Sequence, residues 1–170
     1  MLLIINRNLT YLFITKPFNN STFVLFNWFK IAMEKNLLIL CTGNSCRSQM
    51  AEGFANKYSS YKAFSAGTKK TNLDPLAVKV MSEIDIDISQ HFSKTFNELS
   101  SINFKYIFTL CSDAEENCPI IFRRQTIHVG FDDPPYLTRN LKNELEILDI
   151  YRKVRDEIKD FVLNIKIYTS

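Results

Sequence analysis

The run NLLILCTGNSCRSQMAEGFANKY, residues 36–58, decides the fold. It begins with an all-apolar stretch over 37–40, the pattern of a short strand buried on both faces. Residues 48–58 then carry Met50, Ala51, Phe54, Ala55 and Tyr58 at helical spacing. Between them lies Cys41-Thr42-Gly43-Asn44-Ser45-Cys46-Arg47-Ser48, a Cys-x5-Arg loop leading straight from strand to helix. Successive backbone N–H groups of such a loop converge into an anion nest, and the helix adds the positive end of its dipole. Arg47 can clamp a tetrahedral oxyanion with paired hydrogen bonds, which Lys cannot do. Gly43 and Asn44 are residue types that tolerate left-handed backbone. Cys41 sits at the rim of the nest, where a thiol is expected to fall from about 8.5 into roughly the 3.5–7.5 range. Ser48 is placed to donate a further hydrogen bond to the sulfur. A thiolate beside a bound oxyanion is a nucleophile aimed at phosphorus or arsenic. A merely structural Cys41 would leave Arg47 and the loop unexplained.

Outward from this core, 62–65 reads as a second strand ended by Gly67, 106–110 as a third and 126–129 as a fourth. Asp74-Pro75 opens a helix, Asp as cap and Pro at the first helical position, with Leu76, Val80, Met81 and Ile84 turned inward. Residues 144–165 form a long amphipathic helix through Ile147, Ile150, Tyr151, Val154, Ile158, Phe161 and Ile165. Strands alternating with helices predict an α/β fold with a central parallel four-stranded sheet flanked by helices. Ligands in such sheets bind beyond the carboxyl ends of the strands. Two of those ends, after Leu40 and after Leu110, are occupied by cysteine.

The formal net charge of +3 lies entirely in residues 1–32, which hold Arg7, Lys16 and Lys30 and no acid. From Met33 onward the chain is neutral overall, which argues against a nucleic-acid partner. The opening apolar run is too short for a signal core, and Lys16, Asn19, Asn20 and Ser21 interrupt any membrane span. Met33 starts a segment that reads like a natural protein start. Residues 1–32 are therefore expected to be an extension outside the catalytic fold, and 33–170 a single catalytic domain.

The segment 41–53 closely resembles the phosphate-binding loop of the low-molecular-weight phosphatase fold, and within it the thioredoxin-coupled arsenate reductases. The resemblance extends over 65–67, 85–89, 109–119, 130–134 and 151–159, and touches none of 1–32. It implies that 41–48 (Thr42, Gly43, Asn44, Ser45, Cys46, Arg47 and Ser48 beside Cys41) bind the oxyanion and that Asp133 is the general acid. Asp133 precedes a proline, which holds its backbone extended. Phosphate and arsenate are near-identical anions, so loop and nucleophile alone do not separate hydrolysis from reduction. Reduction needs a second thiol to attack the Cys41–As adduct, and Cys111 at the end of the third strand is placed to be it. The resemblance implies the same role for Cys111, and a final relay step at Cys118 reopened by thioredoxin. Ser112 with Glu115 forms a capping box, so a short helix should start there. Along a helix the two cysteines would stand about 10 Å apart, beyond the ~4.4–6.8 Å that a disulfide spans. A Cys111–Cys118 bridge thus requires the segment to unwind. A structural disulfide framework and a zinc site are both disfavoured by context and spacing.

Some of the resembling reductases bind potassium through residues matching Asn44, Glu52 and Ser65 plus a Thr and an Asp. Here the latter two positions are Phe92 and Lys94, and Lys94 is expected to replace the ion. His91 and His128 read as structural. The expectation is a cytoplasmic, monomeric arsenate reductase with no bound cofactor or metal, no nucleic-acid or membrane partner, and thioredoxin as electron donor. The alternatives are a low-molecular-weight protein-tyrosine phosphatase using Cys41, Arg47 and Asp133, or an oxyanion-binding module without turnover.

Overall fold

The computed structural model describes residues 35–112, 114 and 126–169. Its strands are β1 (Asn36–Cys41), β2 (Lys62–Gly67), β3 (Tyr106–Thr109) and β4 (Thr126–His128). The helices are α1 (Arg47–Tyr58), α2 (Pro75–Ser82), α3 (Pro134–Thr138), α4 (Glu144–Leu163) and α5 (Lys166–Thr169), with a 3-10 turn at Phe96–Leu99. The sheet has the order β2-β1-β3-β4 and every pairing is parallel. Among the described residues no helix is long and apolar enough to cross a membrane.

From Leu37 to Leu40, β1 is apolar because it feeds two cores. Leu37 and Ile39 join Met50, Phe54, Val80, Met81, Val154 and Ile158 from the α1, α2 and α4 side. Leu38 and Leu40 face the other way, onto Leu99, Phe104 and Ile107. Each fully buried aliphatic side chain of this kind contributes about 1.5–3 kcal/mol. The helix expected over 144–165 is α4, which ends at Leu163 and whose buried side includes Leu148, Tyr151, Val154, Ile158 and Phe161. Asp74 caps α2 as the sequence indicates, accepting from the backbone N–H of Leu76 at 2.8 Å. Tyr58 departs from the expected inward stripe: it is the last residue of α1, 42% exposed, and stacks on Phe54.

Candidate active site

The parallel register brings the two cysteine-bearing strand ends together. Leu40 lies opposite Thr109, and the Leu110 N–H donates to Leu40 O at 2.9 Å. One residue further, the Thr42 hydroxyl and the Cys111 sulfur are 3.3 Å apart. Cys41 is buried at the end of β1 and Cys111 is half-buried beyond β3.

The loop's carbonyls from Thr42 to Cys46 are all taken. Thr42 O accepts from Lys69 N–H at 3.1 Å, and Ser45 O from Asp74 N–H at 3.1 Å. Gly43 O accepts from the hydroxyls of Thr71 (2.7 Å) and Ser93 (2.9 Å). Asn44 O accepts from the Gln49 amide at 2.9 Å, and Cys46 O from Met50 N–H at 3.0 Å. In a trans peptide the N–H points opposite the C=O. With the carbonyls fixed outward, the following N–H groups face the cradle. α1 begins at Arg47 with no side-chain cap and no acid in its first turn, so its own first N–H groups are available to an anion.

The reason for glycine at 43 differs from the expected one. Among the described residues no glycine has positive φ; within the loop the left-handed residue is Asn44, at φ 48°. Gly43 is required for space, since a Cβ there would stand 2.9 Å from the Thr71 hydroxyl oxygen. Gly67 is tighter still: its Cβ would come within 2.7 Å of the backbone oxygen of Thr42.

Behind the loop, Asn44 organises a directed hydrogen-bond chain. Its Oδ1 accepts from Lys94 N–H at 2.7 Å, which fixes the orientation of the amide. Its Nδ2 then donates to Ser48 Oγ (3.0 Å) and to Ser65 Oγ (2.8 Å). Ser65 Oγ in turn donates to the Glu52 carboxylate. Ser48 Oγ, an acceptor from Asn44, also lies 2.9 Å from Cys41 Sγ, so the expected Ser48–Cys41 bond is present; either atom can donate, and a Cys41 thiolate would accept from the hydroxyl.

The acidity of Cys41 is nevertheless a correction to the sequence reading. Burial pushes the thiol up and outweighs the Ser48 and Asn44 hydrogen bonds that pull it down; neighbouring Cys111 adds to the rise. The physical reason is that Cys41 is 4% exposed. The Arg47 guanidinium donates to Phe131 O at 3.0 Å and pairs with Asp133 Oδ2 at 3.2 Å. Asp133 is the N-cap of α3 with extended backbone and makes no capping bond, so its carboxylate is turned to Arg47. Asp132 instead faces Lys153 on the surface, at 3.5 Å.

Lys94 places its ammonium 3.5 Å from Glu52 Oε2 and donates to Phe92 O at 3.1 Å, with both partners of the ion pair largely buried. A cation beneath the loop would meet this fixed charge, so the residues do not fit a potassium ion. Among the described residues there is no group of three His, Cys, Asp or Glu side chains arranged to hold a metal. His91 Nδ1 is 3.0 Å from Gln49 Oε1 and His128 Nδ1 is 3.0 Å from Thr109 Oγ1, the structural roles expected.

The structure therefore brings together Cys41, the 42–48 loop, Arg47, Asp133 and Cys111. Cys118 lies outside the described residues, as does Glu115; Ser112 and Ala114 are helical. Sequence reasoning missed Thr71, Ser93 and the Phe131 carbonyl as loop and arginine anchors. No motif marks them, because they reach the loop from segments distant in the chain.

This is the oxyanion-binding cysteine site of a phosphatase-type fold. The chain belongs to the low molecular weight phosphotyrosine protein phosphatase family, matched over residues 36–167. Within that family it is 43% identical over 129 residues to arsenate reductase 1 of Staphylococcus epidermidis, covering 74% of this chain and 91% of that protein. It is likewise 43% identical to the arsenate reductase of Bacillus subtilis, covering 73% of this chain and 89% of that protein. A solved arsenate reductase in its phosphate-binding state superimposes with a TM-score of 0.60 at 28% identity, over 80% of this chain and 99% of that one. A low molecular weight protein tyrosine phosphatase from T. tengcongensis shares the fold, with a TM-score of 0.65 at 22% identity, over 81% of this chain and 100% of that one.

Proposed function

We propose that this protein reduces arsenate to arsenite through a relay of Cys41, Cys111 and Cys118 that thioredoxin resets. The observation that carries the reading is the second sulfur: Cys111 stands beside the nucleophile's loop, against Thr42 at 3.3 Å, where hydrolysis has no use for a thiol. The arsenate relatives are similar over nine-tenths of their own length.

On this reading arsenate rests on the loop N–H groups and Arg47. Cys41 Sγ attacks arsenic, an S–As bond forms, and the departing oxygen leaves as water with a proton from Asp133. The proton lost by Cys41 replaces the one Asp133 gave. Cys111 thiolate then attacks Cys41 Sγ. The S–S bond forms, the S–As bond breaks, and its electron pair stays on arsenic, which leaves as arsenite. Cys118 attacks Cys111, freeing Cys41, and thioredoxin reduces the Cys111–Cys118 bridge. Ser48 steadies the Cys41 sulfur as nucleophile and as leaving group. Cys41, Arg47, Cys111 and Asp133 all come from one chain, so the reaction is proposed for a monomer, in the cytoplasm where thioredoxin is kept reduced. Residues 1–32 take no part in the proposed reaction, and the Lys94 ammonium occupies the cation position under the loop.

The test is arsenate reduction driven by NADPH, thioredoxin reductase and thioredoxin, run beside aryl-phosphate hydrolysis. Cys111→Ser should abolish reduction and spare hydrolysis. Equal loss of both would sink the relay, hydrolysis without reduction in the wild type would favour a phosphatase, and neither activity a binding module.

A further inference from the structure

The peptide between Gly43 and Asn44 sits in an uncommon setting. Asn44 follows it with φ at 48°, in the left-handed region that residues with a Cβ rarely occupy. Rotating this peptide plane by half a turn changes only ψ of Gly43 and φ of Asn44. It would carry Asn44 out of the left-handed region into ordinary extended backbone. Such a flip also exchanges the two ends of the peptide dipole, putting the Gly43 oxygen where the Asn44 N–H now points. That direction matters, because the Asn44 N–H, with the Ser48 N–H and hydroxyl, pulls the Cys41 thiol down against burial. A carbonyl oxygen in its place would repel both a thiolate and an oxyanion.

Two hydroxyls hold the peptide against this flip. Gly43 O accepts from Thr71 Oγ1 at 2.7 Å and from Ser93 Oγ at 2.9 Å, across 28 and 50 residues of chain. The Thr71 N–H donates to Ser93 Oγ at 3.2 Å, which leaves the Ser93 proton for the carbonyl. Both lone pairs of Gly43 O are then filled, and a flip would strand two donors at once. Lys94 N–H and the Gln49 amide hold Asn44 through its side chain and its own carbonyl, so neither fixes the peptide before it. We propose that Thr71 and Ser93 are positioning residues for the nucleophile: their hydroxyls lock the Gly43–Asn44 peptide with its N–H directed at Cys41 and the oxyanion beside it.

The clamp acts on strength as well as aim. Donors on a carbonyl polarise its peptide, which makes the N–H at the other end a better donor. Its two halves also back each other up, since either hydroxyl alone still holds the oxygen. Thr71 is exposed and Ser93 half-buried, so water replaces a single lost hydroxyl in part. Removal of both is what frees the peptide. The titratable neighbour that raises the Cys41 thiol is Cys111, which neither hydroxyl touches.

The inference rests on the reading of 41–48 as an oxyanion site with Cys41 as nucleophile, and its test needs no arsenate. In the full chain, alkylation of Cys41 by iodoacetamide is followed across pH by peptide mass, with and without inorganic phosphate as protecting anion. Thr71→Val keeps the side-chain shape and removes the hydroxyl; Thr71→Ser keeps the hydroxyl and removes the methyl. In Thr71→Val with Ser93→Ala the midpoint of the alkylation profile should rise, and the phosphate needed for half-protection should increase about tenfold. Thr71→Val alone should change it about threefold, and Thr71→Ser should match the wild type. A double variant with unchanged midpoint and unchanged phosphate protection overturns the proposal. So does a Thr71→Ser variant as impaired as Thr71→Val, which would assign the effect to the methyl group's packing. If the double variant does not fold, Thr71→Val against Thr71→Ser decides by the same two readouts. Absence of arsenate reduction in a wild type that phosphate protects would refute the reductase reading alone; the clamp stands or falls on the variants.

Discussion

The carboxyl ends of β1 and β3 lie side by side and are built differently. At the end of β1, every carbonyl from Thr42 to Cys46 is held by a donor, and Cys41 is buried. At the end of β3, Cys111 is half-buried, its sulfur 3.3 Å from the Thr42 hydroxyl and its side chain against the Leu38–Leu40 cluster. The contrast matches the two tasks proposed for them. Binding an oxyanion and aiming one sulfur at its centre demand a fixed frame, because misplacement of the attacking atom is costly. A sulfur that must bond first to Cys41 and then to Cys118 needs a frame that lets it go.

The comparison can be broken from either end. Cys41→Ser removes the atom on which both activities depend, so reduction and aryl-phosphate hydrolysis should each fall on the order of 10⁴-fold or more; steady-state rates check this, and residual reduction would shift the nucleophile to Cys111. Lys94→Met strikes the frame under β1, leaving the buried Glu52 carboxylate without its partner. Thermal or urea unfolding should show a loss of about 3 kcal/mol. Potassium should restore part of it, whereas the wild type should melt at the same temperature in potassium and sodium; a potassium-dependent rise in the wild type would mean Lys94 has not taken the ion's place. Thr42→Val acts on the β3 side by removing the hydroxyl that holds Cys111. One hydrogen bond of this kind is worth about 0.5–1.5 kcal/mol, so single-turnover bridge formation should slow about three- to tenfold, with hydrolysis affected less. The smallest effect belongs to neither end: a chain beginning at Met33 should reduce arsenate at the full-length rate, and a loss would bring residues 1–32 into the function.

Much of this frame is legible in the sequence, where local rules govern it. β1 announces itself as an uninterrupted apolar run because it is buried on both faces, and Asp74-Pro75 marks the start of α2 because capping is a matter of adjacent residues. Asp133 is predictable as an extended residue because proline follows it. What depends on distant segments is not legible. The need for Gly43 comes from Thr71, met across 28 residues, rather than from its own backbone. The depth of burial that raises the Cys41 thiol is also not legible, whereas the loop residues that would lower it are. Likewise the pairing of Arg47 with Asp133 and Phe131 spans 84 residues to the carbonyl alone.

The backbone cradle has a consequence for competition in the cell. N–H groups fixed in space sense charge and tetrahedral shape, and phosphate matches arsenate in both. On the proposed reading the site has no equilibrium means of refusing phosphate, which would occupy it according to its concentration. On the reductase reading, discrimination falls to the step after binding: when Cys111 attacks Cys41 Sγ, arsenic keeps the electron pair of the broken S–As bond and leaves as As(III), a reduction that phosphorus(V) does not undergo. Such an enzyme tolerates the wrong ligand and filters by redox chemistry, with phosphate acting as a reversible occupant rather than a substrate of the relay.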